Sequence, residues 1–574
     1  MNSWQKEPKA PKNPEERLPA VYLMLDDMLE GSPRSNGKYE DICYLEGRLT
    51  GKLQNNMPGL AADIASGMQE RGGFGRMVHS IGVTYTAADR EDIKESALFI
   101  LQFHEKGGQN SFAYKQEVSC NGRETLILAK DSQASLEDVT PVFIKSVFPK
   151  HMTVKASVCF YLYQGYRVPV LQPDPAVEYG GADYQKMISR SLIERGNLFR
   201  LKKAIEKCRR GEDVTIAYIG GSITQGAGAK PIHNRCYACL SCDAFRQRFA
   251  PGEGGNVHLV KAGVGGTSSE LGLTRYEMDV LRYGTVEPDI VVIEYAVNDN
   301  GDESDGVCYE SLVLMAMEGP GNPAVVLLFS VFMDDWNLQE RMIPVGRHYR
   351  LPMVSVRDAV VEQFYQDQPV ITKRQYFYDI YHPSNDGHRV TADCLDYLWT
   401  EAGGAGEGGI RDNAAADPEK EPVIGNIYKK LRTLTKDTVA LHSSIHLIDA
   451  GGFNGNDQEL QYVEKDNRPE AEPEFPCNWM HMPGNGGGFR MKLWCKALLL
   501  VYKDSGSRMF GKAEVTVDGN IVRTVDPLEA GWERCNAVIV LNAPETGWHD
   551  VTVRMAAGQE ERFFTILGFG YTQY

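Results

Sequence analysis

Apolar residues along this chain follow three different rhythms. From about Leu45 to about Leu171 they come in short alternating runs, SALFILQFHE, SFAYKQEVS, ETLILAK, PVFIKSVF and MTVKASVCFYLY, separated by Gly, Asn, Asp and Pro clusters. Alternation with period two predicts half-buried strands, and several such strands in a row predict an antiparallel sandwich. Residues 1–180 are therefore read as an N-terminal β-sandwich-like domain. Between Tyr184 and Arg210 the spacing turns helical through Leu192, Leu198, Leu201 and Ile205, and Gly211 stops it.

From Asp213 to about Glu401 the rhythm changes again. VTIAYIG, VHLVKAG, DIVVIEYA, AVVLLFSVF and MVSV are continuous apolar runs with helical segments between them. Strands covered on both faces read this way, so residues 181–401 are expected to form a three-layer α/β/α domain around a parallel sheet. Residues 402–424, small, charged and aperiodic, read as a linker. Beyond it, in residues 425–574, SSIHLIDAG, KALLLVYK, KAEVTVDGNIVRTV, NAVIVLN, HDVTVRMA and RFFTILGFGY alternate once more, with Asp518-Gly519 as a hairpin turn. The expectation is a multidomain α/β plus all-β protein, the central domain flanked by two β-sandwiches.

Composition narrows the chemistry. A chain of 574 residues exceeds the size of one hydrophobic core. The net charge of -16 argues against nucleic acid or an anionic membrane as partner, because both need a basic face. No apolar run reaches the length of a signal peptide core or a membrane span. The twelve cysteines are scattered rather than arranged as a disulfide framework. These features together lead to the expectation of a cytoplasmic protein.

The strand VTIAYIG ends on Gly220-Gly221-Ser222. At the carboxyl end of a parallel strand, a sharp turn into a helix presents its residue to a ligand beside unpaired backbone N–H groups. A plain βα turn or a phosphate-binding glycine loop reads the same way. Three further segments follow in order: KAGVGGTSS at 261–269, EYAVNDN at 294–300 with Asn298, and YDIYHPSNDGH at 378–388 with Asp379 and His382 three apart.

Taken together, these four blocks resemble those of the SGNH hydrolases, the GDSL family of esterases and lipases, over roughly residues 213–400. The resemblance implies Ser222 as nucleophile, Gly266 and Asn298 as oxyanion-hole partners of the Ser222 N–H, and Asp379 with His382 as the rest of a triad. Two positions depart from the family pattern: Gly221 stands where Gly-Asp-Ser has its Asp, and Ala296 where block III has glycine. Such a mechanism needs a base to activate the hydroxyl and an acid to orient that base, with no metal and no organic cofactor.

Other residues admit chemistry with a plainer alternative. His233, Cys236, Cys239 and Cys242 have metal-ligand spacing, which is also the spacing of a buried helix face. His388 is read as structural. Trp336, after a strand end, is a candidate substrate-binding residue, and Trp479, Trp494, Trp532 and Trp548 are candidates for a sugar-stacking platform or for core. An esterase domain flanked by two β-sandwiches resembles bacterial carbohydrate esterases. That implies removal of O-acetyl groups from imported plant-derived oligosaccharides. A general small-molecule acyl esterase or thioesterase, and a carbohydrate-binding protein with an inactive hydrolase domain, stay open.

Overall fold

The structure, a computed structural model, describes residues 18–33, 37–45, 48–70, 72–105, 111–129, 139–171, 174–404 and 420–574. The chain divides into two compact units. The first holds residues 1–33, 38–175 and the short stretch Phe377–Tyr381; the second holds 34–37, 176–376 and 382–574.

Among the described residues the first unit contains nine strands: β1 (Ala20–Glu30), β2 (Ser32–Pro33), β3 (Tyr39–Tyr44), β4 (Val78–Ala87), β5 (Ser96–Glu105), β6 (Ser111–Ser119), β7 (Asn121–Leu128), β8 (Val139–Phe148) and β9 (Thr153–Leu162). They form two antiparallel sheets, in the orders β1-β9-β4-β7 and β2-β3-β8-β5-β6. Leu23, Val83 and Phe160 of one sheet share a core with Phe99, Leu101 and Ile144 of the other. Phe74, from a short helix at Gly73–Met77, sits edge-on to Phe103 and Phe160, each at 5.0 Å. The sandwich thus begins before Leu45, where β1 to β3 supply strands that the alternation did not mark. Tyr378 belongs to the same core. Its carbonyl accepts the Lys52 ammonium at 2.6 Å and its hydroxyl donates to Asp41.

The second unit opens on β10 (Leu192–Glu194), β11 (Val214–Gly220), β12 (Val257–Gly263), β13 (Ile290–Glu294), β14 (Ala324–Phe329) and β15 (Met353–Ser355). Their order is β10-β15-β14-β13-β11-β12, parallel except for β10. The segment 184–210, expected to be helical throughout, is two helices, Ala182–Ser189 and Phe199–Arg209, broken by β10. Leu192 thus pairs with the sheet edge instead of lining a helix. The last helix, Asn385–Gly404, runs three residues into the stretch expected to be linker, and residues 405–419 lie outside the described residues.

The C-terminal part contains β16 (Arg432–Leu434), β17 (Ile445–Asp449), β18 (Tyr462–Glu464), β19 (Ala471–Pro473), β20 (Trp479–His481), β21 (Phe489–Asp504), β22 (Ala513–Val517), β23 (Asn520–Val525), β24 (Arg534–Met555) and β25 (Phe564–Thr572). All but β18 and β19 join one eight-stranded antiparallel sheet. NAVIVLN and HDVTVRMA, expected as two strands, are one 22-residue strand, β24. Asp518-Gly519 forms the β22–β23 turn, both residues at positive φ (51° and 82°), as a twist-matched two-residue turn requires.

Burial along β21 explains why this part joins the central domain. Its first half alternates, whereas from Ala497 onward every residue is buried. Leu498 and Leu500 face the core of the C-terminal sheet, while Ala497 and Leu499 enter the core that holds Leu273, Tyr276 and Tyr295 of the central domain. KALLLVYK lost its alternation because both faces of the strand are covered. Leu499→Ala is expected to cost about 3 kcal/mol and to lower the urea midpoints of tryptophan fluorescence and helical circular dichroism together. A fluorescence shift with an unmoved dichroism midpoint would show that the sheet is not part of the central core.

Candidate active site

Gly220 pairs in register with Gly263 of β12 on one side and with Glu294 of β13 on the other. Three neighbouring strands therefore end at one level, and the chain leaves β12 to pass to the far side of β11, which makes this edge a topological switch point. Ser222, Gly266 and Asn298 follow those three ends by two, three and four residues.

Ser222 opens a one-turn helix, Ser222–Gln225, and its carbonyl accepts the N–H groups of Gly226 (3.0 Å) and Ala227 (2.9 Å). Its Oγ lies 3.0 Å from Nε2 of His382, and the imidazole is 8 % exposed. That is hydrogen-bond distance between a hydroxyl and a base, at the mouth rather than in the core. Asp379 is fully buried and accepts the Tyr381 N–H at 2.8 Å; it lies in the stretch that belongs to the N-terminal unit, directly before His382.

Gly221 has a steric reason to be glycine. A Cβ built there falls 2.3 to 2.6 Å from the side-chain amide atoms of Asn298. A side chain here, such as the aspartate of Gly-Asp-Ser, would have to displace the Asn298 amide. Gly266 adopts φ +69°, and a Cβ on it would stand 2.5 Å from the ring of Trp532. The flanking groups of this loop are committed: Gly265 N–H donates to Gln225 Oε1 (2.9 Å), Gly265 O accepts Gln461 Nε2 (2.8 Å), and Gly266 O accepts Arg534 Nη1 (2.9 Å). Three of the residues covering the block II loop thus come from the C-terminal part. Trp532, 42 % exposed, lies against the glycine with the Arg534 guanidinium 5.9 Å from its ring centre.

Behind the nucleophile turn lies a buried polar chain. Thr224 Oγ1 donates to Glu294 Oε2 (3.1 Å) and meets the Tyr237 hydroxyl at 2.7 Å. His388 Nδ1 accepts the Tyr237 N–H (3.2 Å) while its Nε2 faces the Ala227 carbonyl at 3.0 Å, which assigns the Nε2–H tautomer. Burial lowers its pKa to about 3, so this histidine stays neutral and structural. Burial likewise pushes the Glu294 carboxyl up to about 7, against the hydroxyls of Ser330 and Thr224.

The remaining candidates are placed as follows. Trp336 is half-buried in the loop after β14, against Phe332 at 6.0 Å. Cys236, Cys239 and Cys242 are buried at or within the helix Tyr237–Phe249; the first two sulfurs lie 3.3 Å apart, and Cys239 Sγ faces the His233 carbonyl. Among the described residues no group of three or more His, Cys, Asp or Glu has the arrangement of a metal site. No described helix is long and apolar enough to cross a membrane. Sequence reasoning missed Arg275, Gln225, Gln461 and Arg534. Of these only Arg275 left a local trace, as the one basic residue in the stretch ELGLTRYEM.

Residues 218–390 match the model of the GDSL-like lipase/acylhydrolase family. Fold and match together define the class: the central domain is a GDSL-like acylhydrolase, and the protein is a carboxylic ester hydrolase. Among solved structures the chain is similar to a two-domain esterase (CEX) active on acetylated mannans, with 26% identity and a TM-score of 0.56, over 67% of this chain and 98% of that one. The same esterase co-crystallized with mannopentaose gives 26% identity and a TM-score of 0.55 over the same shares. No curated protein matches.

Two outcomes test the site. Gly221→Ala is expected to displace the Asn298 amide and lower kcat on an aryl acetate by about 100-fold; an unchanged kcat would show that the amide has room or is not used. Glu294 in the folded chain holds its proton up to about 7, against 4.5 ordinarily, so the folded state binds more protons and stability falls as pH rises between those values. Glu294→Gln has no carboxyl to lose a proton. Its stability relative to the unaltered protein is therefore expected to rise from pH 4.5 to 8 by on the order of 3 kcal/mol. Parallel urea stabilities across that range would show that the carboxyl titrates normally.

Proposed function

We propose that this protein is a serine esterase that removes O-acetyl groups from carbohydrate through an acyl-enzyme. The observation that carries the reading is the 3.0 Å approach of Ser222 Oγ to His382 Nε2 at the switch point of the sheet. His382 takes the hydroxyl proton as Ser222 attacks the acetyl carbonyl, then returns it to the departing sugar oxygen. Asp379, three residues earlier in the chain, is proposed to fix the imidazole tautomer and to stabilise the imidazolium. The N–H groups of Ser222 and Gly266 and the amide of Asn298 are proposed to hold the oxyanion. Gly266 suits this better than Gly265, whose N–H is already given to Gln225. Water then releases acetate.

The carbohydrate part rests on similarity to an esterase active on acetylated mannans over 67% of this chain. Trp532 adds a half-exposed aromatic face beside Gly266, suited to stack a pyranose, and Trp336 is a second candidate wall. The net charge of -16 favours a neutral substrate over a polyanion. A cytoplasmic protein would meet imported oligosaccharides rather than intact polymer, and that location is part of the proposal.

The test is acetate release from acetylated manno-, xylo- and gluco-oligosaccharides, followed by mass spectrometry. The unaltered protein is expected to deacetylate at least one class and Ser222→Ala none, with Asn298→Ala slower by 10²- to 10³-fold. Cleavage of an aryl acetate alone would leave a general acyl esterase. Cleavage of neither would favour a carbohydrate-binding protein with an inactive hydrolase domain.

A further inference from the structure

The four tryptophans of the C-terminal part have three different fates. Trp479 is core, at 3 % exposure, and Trp532 lies against Gly266. Trp494 and Trp548 do neither. They stand directly opposite each other on β21 and β24, ring centres 5.5 Å apart and planes at 65°, with 37 % and 47 % of their surface in water. The His446 ring flanks Trp548 at 5.9 Å.

Strand alternation makes their orientation unambiguous. Phe489, Met491, Leu493 and Cys495 are buried, so Arg490, Lys492 and Trp494 point outward, opposite Thr552, Asp550 and Trp548. Lys492 is paired with Asp550 at 3.7 Å. The backbone beneath them is held. Trp494 N–H donates to Ser444 O (2.9 Å), Trp494 O accepts Gln573 Nε2 (3.2 Å), and Thr546 Oγ1 donates to Gln573 O (2.8 Å).

Outward positions of an alternating strand ordinarily carry polar side chains, so two adjacent indoles there mark a recognition surface. Its size limits the occupant. Together they expose roughly 200 Å², given a tryptophan surface of up to about 250 Å². A specific protein interface needs about 800 Å² per partner. The area matches one or two pyranose rings. Sugar C–H bonds, polarised by the attached oxygens, present positive hydrogens to the negative face of an indole.

We propose that Trp494 and Trp548, with His446 at their side, form a second carbohydrate-binding surface that takes a neutral pyranose chain and does not belong to the catalytic site. The proposal rests on the carbohydrate reading of that site: it holds the glycan while Ser222 works on its acetyl groups.

Affinity electrophoresis in gels containing deacetylated mannan, xylan or hydroxyethylcellulose tests binding without catalysis. The unaltered protein is expected to be retarded by at least one polymer, and the Trp494→Ala, Trp548→Ala double variant to bind it at least tenfold more weakly. Trp548→Phe, which keeps a flat ring, is expected to retain most of the retardation and guards against a folding defect. KM on the acetylated polymer should rise several-fold in the double variant, with kcat/KM on an aryl acetate unchanged. Equal retardation of parent and double variant, or none of the parent in any gel, overturns the proposal. So does a change of oligomeric state on sedimentation without a change in retardation, which would make the patch a protein interface. Failure of acetate release would sink the catalytic reading while leaving the retardation result to be judged separately.

Discussion

A guanidinium with no access to water organises the catalytic edge of this molecule. Arg275 is fully buried, and its Nη1 donates to the Ala262 carbonyl (2.6 Å) and to Asp279 (3.0 Å), while Nη2 donates to the Gly220 carbonyl (2.8 Å) and to the Tyr295 hydroxyl (3.2 Å). Gly220 is the last residue of the strand before Ser222, and Ala262 the last but one of the strand before block II. One side chain therefore ties the ends of two neighbouring strands. Burying an unpaired cation is costly, so the arrangement depends on its partners. Burial opposes ionisation of Asp279, but Lys465 and Arg275 outweigh it and hold the carboxyl below its usual range. Lys465 bonds Asp279 at 2.9 Å and Glu474 at 2.8 Å. Two cations and two anions thus neutralise one another, and two of the four come from the C-terminal part.

That charge pattern and the shared apolar core explain why a β-rich segment, read from sequence as a separate module, is one compact unit with the hydrolase domain. Gln461 and Arg534 hold carbonyls of the block II loop, Glu464 accepts Gln225 Nε2 at 2.7 Å, and Trp532 closes against Gly266. The loop is held here by residues 196 and 268 positions later in the chain. The stretch Phe377–Tyr381 carries Asp379 and belongs to the N-terminal unit, where Tyr378 joins the sandwich core.

The replacement of the motif aspartate by Gly221 follows from packing. With Asn298 drawn against the Ser222 turn, a side chain at 221 would have to displace its amide, and the buried carboxyl in this region is supplied from β13 as Glu294, bonded to Thr224 one turn of chain beyond the glycine. The Ser222–His382 contact stands beside this altered support.

By itself the sequence determined the layers, the strand ends and the residues found at them. Periodicity sees the local choice between one covered face and two, which is why VTIAYIG and VHLVKAG match β11 and β12 residue for residue and why Ser222, Asn298 and His382 stood out. It could not see which surface covers the second face. KALLLVYK reported burial on both sides without naming the hydrolase core as the partner, and four tryptophans of similar context became core, loop cover and exposed pair. Tertiary structure alone decided those fates, and it alone brought Gln225, Gln461, Arg534 and the Arg275 network to the block II loop. Hydrogen bonds and ion pairs across hundreds of residues leave no period along the chain.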